Sequence, residues 1–398
     1  MSGEGVRQRM AEDEPKIPVP EKKEDPVPVS RAFGAMVTNM DSRWKNWWIR
    51  GIFTFLLIGG FGLIIYLGPV FLSLLVLSIL LKCFQEIVSI GYAKYKEYNL
   101  PLIRVLNWYF LLVATYFLYG DNFFFFFPQY QKSWELLALL AQYHRIICFF
   151  LYVGGFVLFV ACLKKDYYSV QFSMFGWTHL TMFMLGSQAY LVIQNVFTSV
   201  FWFLLPVSMV ICNDIMAYVS GFFFGRTRLI KLSPKKTWEG FLGAFVSTVI
   251  FGICFSYILA KFDFFTCYES LSGSPCVRSS LFIMKEYNVL GVTLNLYPAQ
   301  IHSIPLSVFA SLLAPFGGFF ASGFKRAFNI KDFADVIPGH GGAMDRFDCQ
   351  ILMATFSNVY YFTFCRSPNP DMLMTLLLAL PYDKQMEIFE RLKTALRE

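Results

Sequence analysis

The sequence predicts an all-α, polytopic integral membrane protein of about nine transmembrane helices with a polar site at its cytosolic edge. Three observations carry this. Of the 398 residues, 56% are hydrophobic and 15% charged, with 46 Phe, whereas a soluble domain is roughly half apolar and about a quarter charged. The apolar residues fall in runs of about 20, the length that crosses a hydrocarbon layer of about 30 Å. The Lys and Arg residues alternate between rich and bare loops along the whole chain.

The spans read, in order, at about 47–66, 70–91, 105–120, 146–163, 171–192, 198–221, 241–260, 305–324 and 349–365. The third runs on into "DNFFFFFP", read as lipid-facing helix with no chemistry attached. With the N-terminal tail in the cytosol, the cytosolic loops hold Lys94, Lys96 and Arg104, then Lys164 and Lys165. Further on they hold Arg226, Arg228, Lys231, Lys235 and Lys236, and finally Lys325, Arg326, Lys331 and Arg346. The opposite loops are sparse; 261–304 carries only Lys261, Arg278 and Lys285.

Residues 1–43, with "PVPEKKEDPVPV", are too polar to bury a core and are expected to be a disordered cytosolic tail. Residues 44–370 form the transmembrane domain, and 371–398 an amphipathic tail with Met386, Phe389, Leu392 and Leu396 at helical spacing. Net charge is +7. Gathered on the cytosolic side, it suits anionic headgroups or phosphorylated substrates. Nothing in the chain points to nucleic acid. The nine cysteines contain no CxxC; seven sit in or beside spans, while Cys267 and Cys276 share a loop on the non-cytosolic side, where a disulfide and two thiols are equally open readings.

Two polar clusters interrupt the apolar pattern. In "KDFADVIPGHGGAMDRFD", Asp332 and Asp335 are three apart, as are Asp345 and Asp348, so each pair shares a face if helical. The "PGHGG" between them breaks any helix and is expected to offer backbone N–H groups at a helix start, where phosphate binds. Lys325, Arg326, Lys331 and Arg346 supply positive charge, and the aspartates suit Mg²⁺ shared with substrate phosphates. In the second cluster, Asp214 lies within an apolar span, where a carboxylate is a functional candidate. There, "SPKKT" brings Ser233, Lys235, Lys236 and Thr237 to the cytosolic mouth, with Pro234 placed to begin a helix. Lys82 and Glu86, four apart, read as a structural ion pair. His144, His179 and His302 have no ligand spacing and read as ordinary histidines. There is no Walker A motif, no kinase loop set and no nucleophile–base pair. Direct metal-assisted displacement at phosphorus, on a lipid, is the economical reading.

The stretch "SGFKRAFNIKDFADVIPGHGGAMDRFD" closely resembles the signature of the CDP-diacylglycerol synthases, the phosphatidate cytidylyltransferases. The agreement rests on Ser322, Lys325, Arg326, Lys331, Asp332, Pro338, His340, Gly341, Gly342, Asp345, Arg346 and Asp348. The segment "ND…AY…G…FG…SPKKTWEG" is similar to the family's second shared region. One departure is Ala343, where the family carries a larger aliphatic residue. The resemblance covers roughly residues 40–370 and is closest to the eukaryotic endoplasmic-reticulum branch. It implies transfer of CMP from CTP to phosphatidate, giving CDP-diacylglycerol and pyrophosphate, in a multi-pass enzyme of that membrane.

On this reading Asp332, Asp345, Asp348 and Asp214 hold Mg²⁺. Lys325, Arg326, Lys331 and Arg346 neutralise the triphosphate and the lipid phosphate. The Gly339–Gly342 turn presents N–H groups to pyrophosphate, and His340 donates to a phosphate or steadies the loop. Ser322 and the "SPKKT" residues complete the substrate site. The resemblance also implies a homodimer and leaves room for a second, monovalent cation. The aspartate spacing of CDP-alcohol phosphotransferases is missing. A transporter of anionic substrates would keep its polar groups at mid-membrane, and an inactive scaffold would have shed carboxylates.

Overall fold

The computed structural model describes residues 42–95, 101–126, 135–230, 232–267, 278–289, 292–334, 341–366, 374, 377–378 and 380–396. The chain divides into a short unit, Met1–Thr54, and a main body, Phe55–Glu398. Of the first unit, only residues 42–54 are described, all of them helical.

The helices are α1 (Ser42–Leu67), α2 (Pro69–Tyr95), α3 (Pro101–Phe126), α4 (Glu135–Gln142), α5 (His144–Ala161), α6 (Tyr168–Thr198) and α7 (Val200–Phe224). A hairpin of β1 (Arg228–Ile230) and β2 (Ser233–Thr237) leads into α8 (Trp238–Lys261). After the single turn α9 (Asp263–Thr266) comes a second hairpin, β3 (Lys285–Val289) and β4 (Val292–Leu296). Then follow α10 (Pro298–Leu312), α11 (Pro315–Ala327), α12 (Met344–Tyr360) with a π-helical turn to Cys365, and α13 (Tyr382–Ala395).

Single residues make the sharpest junctions. Gly68, at φ +97°, separates α1 from α2, a backbone conformation that side chains with a Cβ rarely adopt. An extended Ser199 separates α6 from α7. Pro315 restarts the helix after the break at Leu313–Ala314, so the expected span 305–324 is two helices in series.

Among the described residues, seven helices are long and apolar enough to cross a membrane: α2, α3, α5, α6, α7, α8 and the α10–α11 pair. The other two expected spans fall short of that measure. The apolar described part of the first is Thr54–Leu67. The last, α12, carries Asp345, Arg346, Asp348, Gln350, Ser357 and Asn358. Such a helix can lie at membrane depth only where protein surrounds it. α12 packs on α6, α7 and α11.

Its polar groups are met there. Asn358 donates to Asn195 Oδ1 at 3.0 Å, Asn195 donates to the Ala354 carbonyl, and Gln350 donates to the Val207 carbonyl at 3.1 Å. The surrounding core is Leu72, Phe84, Phe201, Trp202, Leu205, Met209, Leu306 and Met353, all fully or nearly fully buried. The outer faces of α5 and α8 expose Phe149, Phe150, Leu242 and Ile250, as lipid-facing surfaces do.

Two sequence expectations change. "SPKKT" is a strand rather than a helix start; α8 begins at Trp238, capped by Thr237 Oγ1, which accepts from Gly240 N at 3.2 Å. Lys82 and Glu86 do not pair, because Lys82 points outward while Glu86 is 3% exposed and faces α12. Three histidines do make ordinary contacts: His144 with the Tyr116 carbonyl, His179 with the Phe175 carbonyl and His302 with the Tyr360 hydroxyl. The Phe run is helical as far as Phe126. Cys267 is disulfide-bonded and the seven cysteines in or beside spans form no disulfide, while Cys276 lies outside the described residues. The tail helix α13 leaves Met386, Phe389 and Leu392 exposed on one face.

Candidate active site

Four elements meet at the site: the C-terminal half of α7, α11, the β1–β2 hairpin and the start of α12. Small residues let them approach. A methyl group on Gly240 would lie 2.7 Å from the Ala217 carbonyl oxygen, and one on Gly243 would overlap Ser220. α8 and α7 therefore touch backbone to backbone. The hairpin is pinned by Glu239, whose carboxylate accepts from Arg226 N at 3.0 Å and from the Thr227 hydroxyl at 2.8 Å. The pinned strand carries Lys236 inward.

Lys236 is where the two sequence clusters join. Its ammonium stands 4.6 Å over the Phe319 ring, a cation–π contact. A methyl on Gly318 would lie 3.8 Å from that ammonium and 3.5 Å from Asp348 Oδ2. Gly318 thus keeps open the space that both charges face. The charges of Lys236, Asp348 and Arg346 all act on the Asp214 carboxylate from α7. Asp348 Oδ1 meanwhile accepts from Cys349 N at 2.7 Å.

The α11–α12 contact is tight. A methyl on Gly317 would overlap the Asp348 carbonyl oxygen, with backbone on both sides. Gly317→Ala is expected to force the helices apart at a cost of about 1–3 kcal/mol and to displace Asp348. Gly323→Ala, which meets only a Leu232 methyl at 3.4 Å, should be near neutral. Thermal unfolding in detergent checks the pair.

A second charged group lies alongside. Lys325 Nζ is 2.6 Å from Asp345 Oδ1, with the two side chains 19% and 9% exposed. Asp345 Oδ2 accepts from Phe333 N at 3.0 Å and Gly342 N at 3.2 Å, tying both ends of the loop between α11 and α12 to one carboxylate. Gly341, at φ +81°, lies between the carboxylates of Asp345 and Asp332, where a methyl would stand 3.5 and 3.7 Å from them.

Of the Gly339–Gly342 turn expected to cradle phosphate, Gly339 and His340 lie outside the described residues, and the N–H groups that follow Gly341 are engaged. Gly342 donates to Asp345, while Ala343 and Met344 donate to Glu86 at 2.8 and 2.9 Å. Carboxylates of the chain itself fill the anion site at this helix start. The remaining predicted residues divide. Arg326, Lys331, Asp332 and Arg346 are exposed at the mouth, and Ser233 is half-buried on β2. The Ser322 hydroxyl donates to the Gly318 carbonyl, and Thr237 caps α8. Asp335, Pro338, Gly339, His340 and the side chain of Lys235 lie outside the described residues.

The expected four-aspartate metal set does not converge. Among the described residues no three His, Cys, Asp or Glu side chains come together as a metal site. Asp332 and Asp345 flank Gly341, with Lys325 paired to Asp345, while Asp214 and Asp348 act on each other with Lys236 nearby. This still fits Mg²⁺, which commonly takes one or two carboxylates and completes its shell with phosphate oxygens and water. Asp214 and Asp348 are the better pair, because Asp345 is engaged through both oxygens.

Sequence reasoning missed Glu86, Gly318 and Phe319. Glu86 was legible in principle, since a carboxylate inside an apolar span is as much a candidate as Asp214. The others carry no chemical signature and emerge only from packing.

The profile of the cytidylyltransferase family matches residues 48–364. The chain belongs to this family. It is 53% identical over 397 residues to phosphatidate cytidylyltransferase 2 of Mus musculus, covering 96% of this chain and 88% of that protein. With phosphatidate cytidylyltransferase 1 of Homo sapiens it shares 52% over 404 residues, 98% of this chain and 87% of that one. With the phosphatidate cytidylyltransferase of Caenorhabditis elegans it shares 48% over 377 residues, 91% of this chain and 81% of that one. In this cytidylyltransferase the matched region contains both polar clusters and every described element of the site.

Proposed function

We propose that the chain transfers CMP from CTP to phosphatidate, releasing pyrophosphate and forming CDP-diacylglycerol. The observation that carries this is the meeting of Lys236, Asp348 and Asp214 beside the Lys325–Asp345 pair. Membership of the family and the names of the relatives support the choice of nucleotide and lipid. The site opens at the hairpin and the start of α12 and reaches inward to Asp214 on α7, which suits a reaction between a water-soluble nucleotide and a membrane lipid.

In this reading a phosphatidate oxygen attacks the α-phosphorus of CTP. The new P–O bond forms as the bond to the β-phosphate bridging oxygen breaks, and pyrophosphate leaves with that electron pair. The phosphatidate phosphate is largely ionised at neutral pH, so no strong base is needed. Lys236 and Lys325 exchange their carboxylate partners for phosphate oxygens as substrate enters. Arg326, Lys331 and Arg346 hold the outer phosphates, Arg through its planar fork. Asp214 and Asp348 would hold Mg²⁺, which neutralises triphosphate charge and makes the α-phosphorus more electrophilic. Asp332 and Asp345 shape the loop beside it.

The loop asymmetry of Lys and Arg supports a cytosolic site. The disulfide at Cys267 supports placing residues 261–297 on the oxidising side of the membrane. Both fit the endoplasmic reticulum. A homodimer and a monovalent cation remain part of the proposal through family resemblance.

The test is pyrophosphate release by the purified protein in detergent–phosphatidate micelles. Release is expected only with CTP, phosphatidate and Mg²⁺ together, abolished by EDTA and restored by excess Mg²⁺. Equal release without phosphatidate would contradict the proposal.

A further inference from the structure

The buried carboxylate on α2 has no place in the reaction as described, yet it touches the loop that carries the charges. Glu86 is 3% exposed, and its two oxygens accept separately from Ala343 N at 2.8 Å and Met344 N at 2.9 Å. These are the N–H groups at the start of α12, and within four residues α12 carries both Asp345 and Asp348. Gly342 closes on the same carboxylate, since a methyl there would lie 2.8 Å from Glu86 Oε2 and 2.9 Å from Ala334 N.

The neighbouring turn of α2 holds the loop's other end. The Ile87 carbonyl accepts from the Trp177 indole at 3.1 Å, and Gly91 leaves room for that ring. Trp177 then packs on Phe324 and Phe328, at 5.7 and 5.5 Å between centroids, on either side of Lys325. Phe324 in turn stacks on Phe333 at 5.3 Å. Residues 86–91 of α2 therefore back both the start and the end of the loop between α11 and α12.

We propose that Glu86 is a positioning residue for nucleotidyl transfer: by clamping Ala343 and Met344 it fixes where Asp345 and Asp348 meet the nucleotide. This rests on the reading of the site as one for CTP. A carboxylate suits the task better than any neutral side chain. It accepts two N–H bonds at once, it complements the positive end of the α12 dipole, and it keeps that end from binding a phosphate in the wrong place.

The test is Glu86→Gln in the full chain, which keeps volume but turns one acceptor into a donor facing an N–H group. Displacement of a reacting group by about 1 Å can cost on the order of a hundredfold. The expected result is a folded, monodisperse protein with kcat/KM for CTP lowered between about tenfold and a hundredfold and KM for phosphatidate unchanged. A role in stability alone would lower the unfolding temperature and leave the kinetic constants of the folded fraction as they were; that result overturns the proposal. Lys82→Ala, one turn away and exposed, is the control and should match wild type.

If Glu86→Gln does not fold, hydrogen exchange on the wild-type chain decides. The amides of Ala343 and Met344 should be protected before any nucleotide is added, and rapid exchange there would sink the idea. Wild-type turnover of CTP is measured alongside. Its absence would count against the proposed reaction, whereas an active wild type with an equally active Glu86→Gln counts only against the positioning role.

Discussion

Asp348→Asn is expected to lower kcat by about three orders of magnitude and leave the fold intact. The amide oxygen can still accept from Cys349 N, so the local hydrogen bond seen at 2.7 Å survives. What is lost is the charge. Asp348 Oδ2 faces the open space over Gly318, together with Lys236, and removing the charge leaves Asp214 alone of the pair that would hold Mg²⁺. Charge stabilisation by such a cation is worth several kcal/mol, and about 4 kcal/mol corresponds to roughly a thousandfold in rate. Steady-state kinetics at saturating CTP and phosphatidate, with size-exclusion chromatography as the check on folding, measures it. A folded variant within about threefold of wild type would remove Asp348 from the site.

The second large effect is on stability. Asp345→Ala leaves Lys325, 19% exposed, without its partner, and removes the acceptor of both Phe333 N and Gly342 N. Breaking a mostly buried pair from one side costs about 3–5 kcal/mol, so the unfolding temperature should drop by many degrees and turnover should disappear. The double variant Lys325→Met with Asp345→Leu separates the two consequences. Replacing both members of a buried pair by apolar groups restores much of the stability, while activity stays absent because the charges themselves are needed. A double variant that regained activity would mean the pair serves the fold alone.

How far the sequence could be read depends on the kind of signal. The lipid-crossing helices were legible because hydrocarbon thickness imposes run length on every one of them. They were least legible where that constraint lapses. α12 is shielded by α6, α7 and α11, so it carries Asn358, Gln350 and two aspartates and fails a test of apolarity. The chemistry was legible as two clusters of charge, and the structure brings Asp214 and Lys236 to Asp348 as their types suggested. The pairing inside the clusters was not legible. Residue spacing alone made a Lys82–Glu86 pair natural. Only the packing of α2 against α12 shows Glu86 taking the N–H groups at Ala343 and Met344. "SPKKT" likewise offered a proline at a plausible helix start, and the Glu239 contacts to Arg226 and Thr227 settle it as a strand.

On the proposed function, this constellation transfers a cytidylyl group rather than a phosphoryl group, and does so to a lipid. The most direct test supplies the purified chain with phosphatidate, Mg²⁺ and CTP labelled at either the α- or the γ-phosphate, and follows label into the organic phase. Label from the α-position in the lipid, with γ-label recovered as pyrophosphate, is the predicted result. Transfer of γ-label into lipid, or none from either position across several acyl chains and detergents, would contradict it.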